Sequence, residues 1–366
     1  MIKPSDGKLG KREFLSIVLF TVGIKFTDTT PDLLFTYGKN AAWMLPILSG
    51  LLIGIPLLLL LGLLKKHETL GLIELIHRLM GKYFGFAVGL TLFFIMLTGT
   101  ILNTRNYIDI VNTMYYPKTP IFYLQLFLIA VCFFVANRGF ETIGRMAWII
   151  LPYIQVIIIL LVVFVWQDSD WMHLFPILGP GLDQVFKQSM WHNSIFGEMI
   201  LLTAFYTYTK SHSVFRFTAL VGISFTSIQI AFFCAIYVFV FDFPAVNHLI
   251  YPFHQLARTA AIGQMITNVE ALFFGFWIIS TVIHFSIVLY LSAVLFAKTV
   301  KLDEFEPLLL PLSGLALLLG LLPENIIVTT AFREILLKSS SIILLSLPFV
   351  LWILDRWKGR HGNESN

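Results

Sequence analysis
Apolar runs of roughly 17 to 30 residues, separated by short polar stretches, recur along the whole of this 366-residue chain. At about 1.5 Å per residue, each is long enough as a helix to cross a hydrocarbon core about 30 Å thick. The runs lie near residues 12–36, 42–64, 83–112, 120–137, 141–166, 189–209, 214–241, 264–297, 306–323 and 336–355. The pattern predicts an all-α polytopic membrane protein with ten transmembrane helices in one domain, 1–366. Two shorter stretches alternate like a single helix face. Leu72, Leu75, Ile76 and Leu79 mark an inner helix over 69–80, and Phe253, Leu256, Ala257 and Ala260 mark an outer one over 251–262. The loop 166–188 carries Pro176, Gly179, Pro180 and Gly181 and is predicted to be irregular, with a short helix at its end.

Ten spans divide into two sets of five, 1–166 and 189–355. An odd number of helices reverses orientation, so the halves are related by inversion, and segments one and six hold equivalent places. No repeat is visible in the residues themselves. Both of these segments carry a mid-span irregularity: VGIKFTDTTP from Val22 to Pro31, and IFGEM from Ile195 to Met199. Paired interrupted segments at corresponding positions point to a transporter-type binding site. Gly197 is read as tolerating backbone angles that break the helix.

Composition narrows the class. With 57% hydrophobic residues, 35 Phe, 13% charged residues and mean hydropathy +0.83, the chain is not an ordinary soluble domain, whose charged share is about 25%. Basic residues divide 17 to 6 between the two sets of loops, which predicts that both termini are cytoplasmic. They sit in short loops rather than on one patch, so the net charge of +4 does not argue for nucleic acid. The N-terminal run lacks a small-residue cleavage site and reads as no signal peptide. Cys132 and Cys234 lie inside apolar runs and read as packing residues. No metal, cofactor or catalytic signature is present: there is no GxSxG, HExxH, P-loop or CxxC.

Charges inside spans are the candidate chemistry, because a carboxylate at the centre of a membrane helix costs about 2.5 to 3.5 kcal/mol and needs a cavity or a partner. Glu198 in segment six and Lys25 in segment one lie at similar depth. They either border a ligand site, one near a carboxylate and one near an amine, or form a structural pair, or Lys25 snorkels. Gly23, Thr27, Phe196 and Gly197 complete the two breaks. Asp28 either caps a restarting half-helix or meets ligand. Arg105, Asp109 and Glu270 form a candidate outer gate, with a local pair between Arg105 and Asp109, four residues apart, as the simpler arrangement. His284 is either functional or a hydrogen-bonded packing residue. Asn103, Gln155 and Gln229 are expected to hydrogen-bond between helices.

Four short motifs in order carry a resemblance: FGEM at Phe196–Met199, YPFHQLAR at Tyr251–Arg258, NVEALFFGFW at Asn268–Trp277 and LLPEN at Leu321–Asn325. With the ten spans, they make the chain resemble the endospore germination protein family, the membrane B subunits of germinant receptors, which are related to amino-acid permeases. Asn268 and the Asn40-Ala41-Ala42 run before Trp43 depart from that family's pattern and weaken the outer gate. The resemblance implies the inverted five-plus-five amino-acid permease fold, of the LeuT-like kind, with discontinuous helices 1 and 6. It also implies the inner membrane of a spore, and assembly with a receptor A subunit and a lipoprotein C subunit to sense a small-molecule nutrient. The site it implies is Gly23–Asp28 with Phe196–Met199. The rival function is an amino-acid and proton symporter.

Overall fold
The computed structural model describes residues 7–260 and 270–363, with side chains to 358. Among the described residues, six helices are long and apolar enough to cross a membrane, and all regular structure is helical. The start of the eighth predicted span, Asn268 and Val269 of its motif, and Ala261 and Ile262 of the outer helix fall outside these residues.

The first apolar stretch is interrupted. Helix α1 (Lys11–Val22) tightens into a 3₁₀ turn over Gly23–Thr27, Asp28 is extended at φ −97°, and α2 (Thr30–Gly38) restarts. Then follow α3 (Met44–Lys66), α4 (Leu72–Met114), α5 (Ile121–Ala136) and α6 (Phe140–Val165). The predicted inner helix over 69–80 forms the first turns of α4, with Leu72, Leu75, Ile76 and Leu79 all buried. It joins the span through Gly81, at φ 82° and ψ −177°, a region that is essentially glycine-only.

The sixth stretch differs from a single broken helix. Helix α7 (Leu182–Trp191) begins inside the predicted loop. It leads through a 3₁₀ segment, Asn193–Phe196, into the one-turn α8 (Glu198–Leu201), and a second 3₁₀ run continues over Leu202–Tyr208. Such long 3₁₀ runs are uncommon because their hydrogen bonds are poorer, and they tend to mark hinges. Beyond it come α9 (His212–Phe241), α10 (Pro252–Thr259), α11 (Glu270–Val300), α12 (Leu309–Gly320) and α13 (Ile326–Asn363).

Helix α11 is the centre of the molecule. From Ile283 to Leu295 every residue is buried, as expected of a helix with no lipid-facing stripe. Its hydroxyls are satisfied within the helix: Thr281, Ser286, Ser292 and Thr299 each donate to the carbonyl four residues earlier. Helices α1, α4, α5 and α6 pack around it. The last helix is longer than its apolar run. Hydropathy starts the tenth span at 336, whereas α13 begins at Ile326 and brings Arg333, which lies before that span, into the bundle.

Candidate functional site
Lys25 and Glu198 meet. The Lys25 ammonium lies 2.6 Å from Glu198 Oε2 and also donates to the Ile195 carbonyl, so it ties the 3₁₀ turn of segment one to the 3₁₀ segment of segment six. Lys25 is 4% exposed and does not snorkel. The freed Ile195 carbonyl is available because α-helical pairing is lost there, and the ammonium supplies the missing donor.

Asp28 caps and pairs at once. Its Oδ1 accepts from the Thr30 backbone N–H at 2.6 Å, and its Oδ2 lies 2.9 Å from Arg333 Nη2. Arg333 spends its fork on the same stretch. Nη1 donates to the Thr29 hydroxyl and Nη2 to the Thr30 hydroxyl, each at 2.7 Å, while Nε donates to Asn103 Oδ1 at 3.0 Å. Sequence reasoning missed Arg333 because the charges in TTAFREILLKSSS lower the hydropathy. The signal was its periodicity: Thr329, Arg333, Leu337, Ser341 and Leu344 share a helix face.

The same helix also holds the other break. The Ser194 N–H donates to Ser341 Oγ at 3.0 Å, and Ser194 Oγ donates to the Leu337 carbonyl at 2.6 Å. Between these ties lies a cavity of about 60 Å³, whose polar wall includes Lys25, Asn103, Glu198, Arg333 and Ser340. The Ser340 hydroxyl is buried with no partner among the described residues. An unpaired buried hydroxyl costs about 1 to 3 kcal/mol, so this wall is unfinished without a solute or water.

The predicted site residues do not all converge. Lys25, Gly197 and Glu198 line this cavity, and Asp28 reaches it only through Arg333. Gly23 and Thr27 face a separate cavity, and Thr27 Oγ1 accepts from Trp277 Nε1 at 2.9 Å. Phe196 is fully buried, with its ring towards Gly50 of α3. Gly197 also departs from its predicted role, since its backbone is right-handed helical, φ −61° and ψ −30°. A Cβ there would stand 2.5 Å from Leu344 Cδ1 and 2.9 Å from the Ser194 carbonyl. The glycine permits close packing, not an unusual angle.

The three gate residues form two separate pairs. Arg105 Nε lies 2.9 Å from Asp109 Oδ1, and its Nη1 donates to the Gly320 carbonyl. Glu270 pairs instead with Arg258 of α10 at 2.9 Å. The i, i+4 spacing on one helix fixes the first pair locally, so the structure has no bridge from Arg105 to Glu270. His284 is buried, with Nδ1 3.0 Å from the Phe20 carbonyl, a packing arrangement. Asn103 bonds between helices as expected. The Gln155 and Gln229 side chains make no hydrogen bond among the described residues.

Helix α10 lies over the break of segment one rather than on an open surface. The Phe253 ring meets Phe26 edge-on at 5.6 Å, and His254 Nδ1 is 2.9 Å from the Tyr115 hydroxyl. Burial, with Arg258 nearby, pushes the His254 pKa down to about 3, and burial raises Tyr251 to about 12. Among the described residues no group of three or more His, Cys, Asp or Glu lies together as a metal site would require.

The two interrupted segments meet around a buried polar cavity inside an all-helical bundle, and six of the described helices are long and apolar enough to cross a membrane. Crystal structures of the Eremococcus coleocola manganese transporter share the fold. A variant superposes with TM-score 0.59 at 13% identity over 93% of this chain and 78% of that one. A complex with an aromatic bis-isothiourea substituted compound gives 0.60 at 11% identity, over 94% and 77%. The family model described as spore germination protein matches residues 11–327, and the chain belongs to that family. It is 24% identical to spore germination protein KB of Bacillus subtilis (strain 168) over 96% of this chain and 95% of that protein. It is 26% identical to spore germination protein XB of Bacillus anthracis over 76% and 79%, and 26% identical to spore germination protein A2 of Bacillus subtilis over 98% of each.

Proposed function
We propose that this chain is the membrane B subunit of a nutrient-germinant receptor, and that it binds a small zwitterion, an amino acid, between the two interrupted segments. On this reading the six long helices, the shorter apolar helices Ile121–Ala136 and Glu306–Gly320 and the two interrupted stretches make ten spans in two inverted sets of five. The protein sits in the inner membrane of a spore with both termini cytoplasmic, and it works with an A subunit and a lipoprotein C subunit. Membership of the spore germination protein family supports the setting.

The observation that carries the ligand reading is the Lys25–Glu198 pair. An amino acid brings a carboxylate for Lys25 and an ammonium for Glu198, so it replaces one neutral pair by two charge-assisted pairs and leaves no charge bare. Its side chain would meet the apolar part of the wall, Met96, Leu201 and Leu337 among others, which suits a small aliphatic residue. The transporter fold of the solved neighbours favours a second reading, in which the same site moves its amino acid with a proton.

One experiment separates these. The purified chain and its Glu198→Ala variant are heated with a panel of amino acids, and the ligand that raises the unfolding temperature is then offered to proteoliposomes. The receptor reading expects a stabilising ligand for wild type only, with no concentrative uptake. Ionophore-sensitive accumulation would establish the symporter. A panel without effect on wild type would sink the amino-acid assignment for the isolated chain.

A further inference from the structure
The cavity beside Gly23 is separate from the one that holds Lys25 and Glu198. It measures about 50 Å³ and lies between segment one, α6, α9, α10 and α11, walled by Phe20, Ile154, Ile158, Phe253 and Trp277. No charged side chain lines it, but two carboxamides do, Gln155 of α6 and Gln229 of α9. Neither has a hydrogen-bond partner among the described residues. Gln229 Oε1 lies 3.4 Å from where a Cβ on Gly23 would stand, so this amide looks onto the break. Both side chains are half-buried, and a carboxamide that meets only lipid tails finds no hydrogen-bond partner there.

A second, more open space adjoins this cavity on the outer face of the bundle. A groove of about 420 Å³ runs between α6 and α9, lined by Ile159, Val162, Val163, Phe225 and Phe232, and Ile158 and Gln229 belong to both groove and cavity. Ile159 and Ile228 are 60% and 63% exposed on its rim, so it opens among lipid tails.

We propose that this is a second ligand site, entered sideways from the bilayer, for a small uncharged amphiphile: an apolar body with one hydrogen-bonding head, of the alcohol or amide class. The observations exclude the simpler occupants one at a time. A zwitterion would leave both its charges unpaired against this wall. A hydrocarbon tail would fill the groove and leave both amides bare. Water would satisfy the amides yet wet an aliphatic surface. An amphiphile lays its body in the groove and puts its head between Gln155 and Gln229. There it presses on segment one at Gly23 and Thr27, on a different side from Lys25. The inference goes beyond the nutrient reading and does not depend on it.

The test uses the full chain in lipid nanodiscs, photolabelled with a diazirine-bearing hexanol, with adducts located by mass spectrometry. Adducts are expected on residues 154–159 and 225–232, and n-hexanol should suppress them about fivefold better than n-hexane, the worth of one net hydrogen bond. Gln155→Leu with Gln229→Leu should erase that preference. Ile158→Trp, which fills the mouth, should abolish labelling while thermal unfolding stays cooperative; should it not fold, the glutamine pair carries the test alone. Labelling spread evenly over lipid-facing helices, or hexane competing as well as hexanol on wild type, overturns the site.

Discussion

Two opposite charges held 2.6 Å apart in a membrane interior are stable only together. Removing one leaves the other bare, at a cost of about 3 to 5 kcal/mol, whereas replacing both by apolar groups of similar size is near neutral. Lys25→Met and Glu198→Leu are therefore each expected to lower thermal stability strongly, and the double variant to recover most of it. A double-mutant cycle in detergent checks this: additive losses would mean the pair is not formed. His254 of α10 gives a pH prediction. Its folded pKa is about 3, while the unfolded chain titrates near 6.5. Between those values only the unfolded state takes up the proton, so His254 costs stability progressively as pH falls from about 6.5 towards 3, and nothing above that range. His254→Gln should flatten the acid limb of an unfolding-temperature profile and leave pH 7 to 9 nearly unchanged.

Elements that hydropathy could see were legible, as were the Lys25–Glu198 and Arg105–Asp109 pairs, whereas the pairs made by Arg333 and Arg258 were not. Apolar length located the six long helices, and 3.6-residue periodicity located the helices around Leu72–Leu79 and Phe253–Ala257, because burial in lipid or protein demands those patterns whatever the partner. The same measure cut α13 short, since Arg333 looks like a loop residue until Asp28, Thr29 and Thr30 are placed against it. It could not show that Gly23 and Lys25, two residues apart, face different cavities, because 3₁₀ and α turns rotate side chains differently. Nor could it match Glu270 to Arg258 rather than Arg105, a choice made by the position of α10. Gly81 is an element-scale case with a sharp expectation. Its φ of 82° joins the inner helix to the rest of α4, no atom stands within 4 Å of a Cβ there, and so Gly81→Ala tests backbone strain alone. A loss of about 1 to 3 kcal/mol is expected, measured by denaturation in detergent; an unchanged midpoint would mean the joint relaxes freely.

At the scale of the molecule, one helix touches everything that distinguishes this chain from a plain bundle. Helix α13 grips segment one through Arg333 and segment six through Ser341 and the Leu337 carbonyl. At its other end Asp355 pairs with Lys66 at 2.8 Å and accepts from His67, and Lys358 donates to the Arg78 carbonyl. Arg333 and Asp355 are about 33 Å apart along a helix at 1.5 Å per residue. A ligand that separates Lys25 from Glu198 changes the distance between the two breaks, and a helix fastened to both must shift or release one. If occupancy is read by partner subunits, α13 is the rod that carries it, and coupling of this kind is reciprocal in binding free energy. Hydrogen exchange on the purified chain supplies the measurement. Saturating amino acid should change exchange not only near 193–201 but also at 64–71 and 350–357. Arg333→Lys keeps the charge but loses the planar fork that reaches Asp28, Thr29, Thr30 and Asn103 together. It should retain ligand protection near Glu198 and lose most of the distant response. Distant exchange that persists in this variant would place the route elsewhere, and no distant change in wild type would mean that occupancy stays local to the cavity.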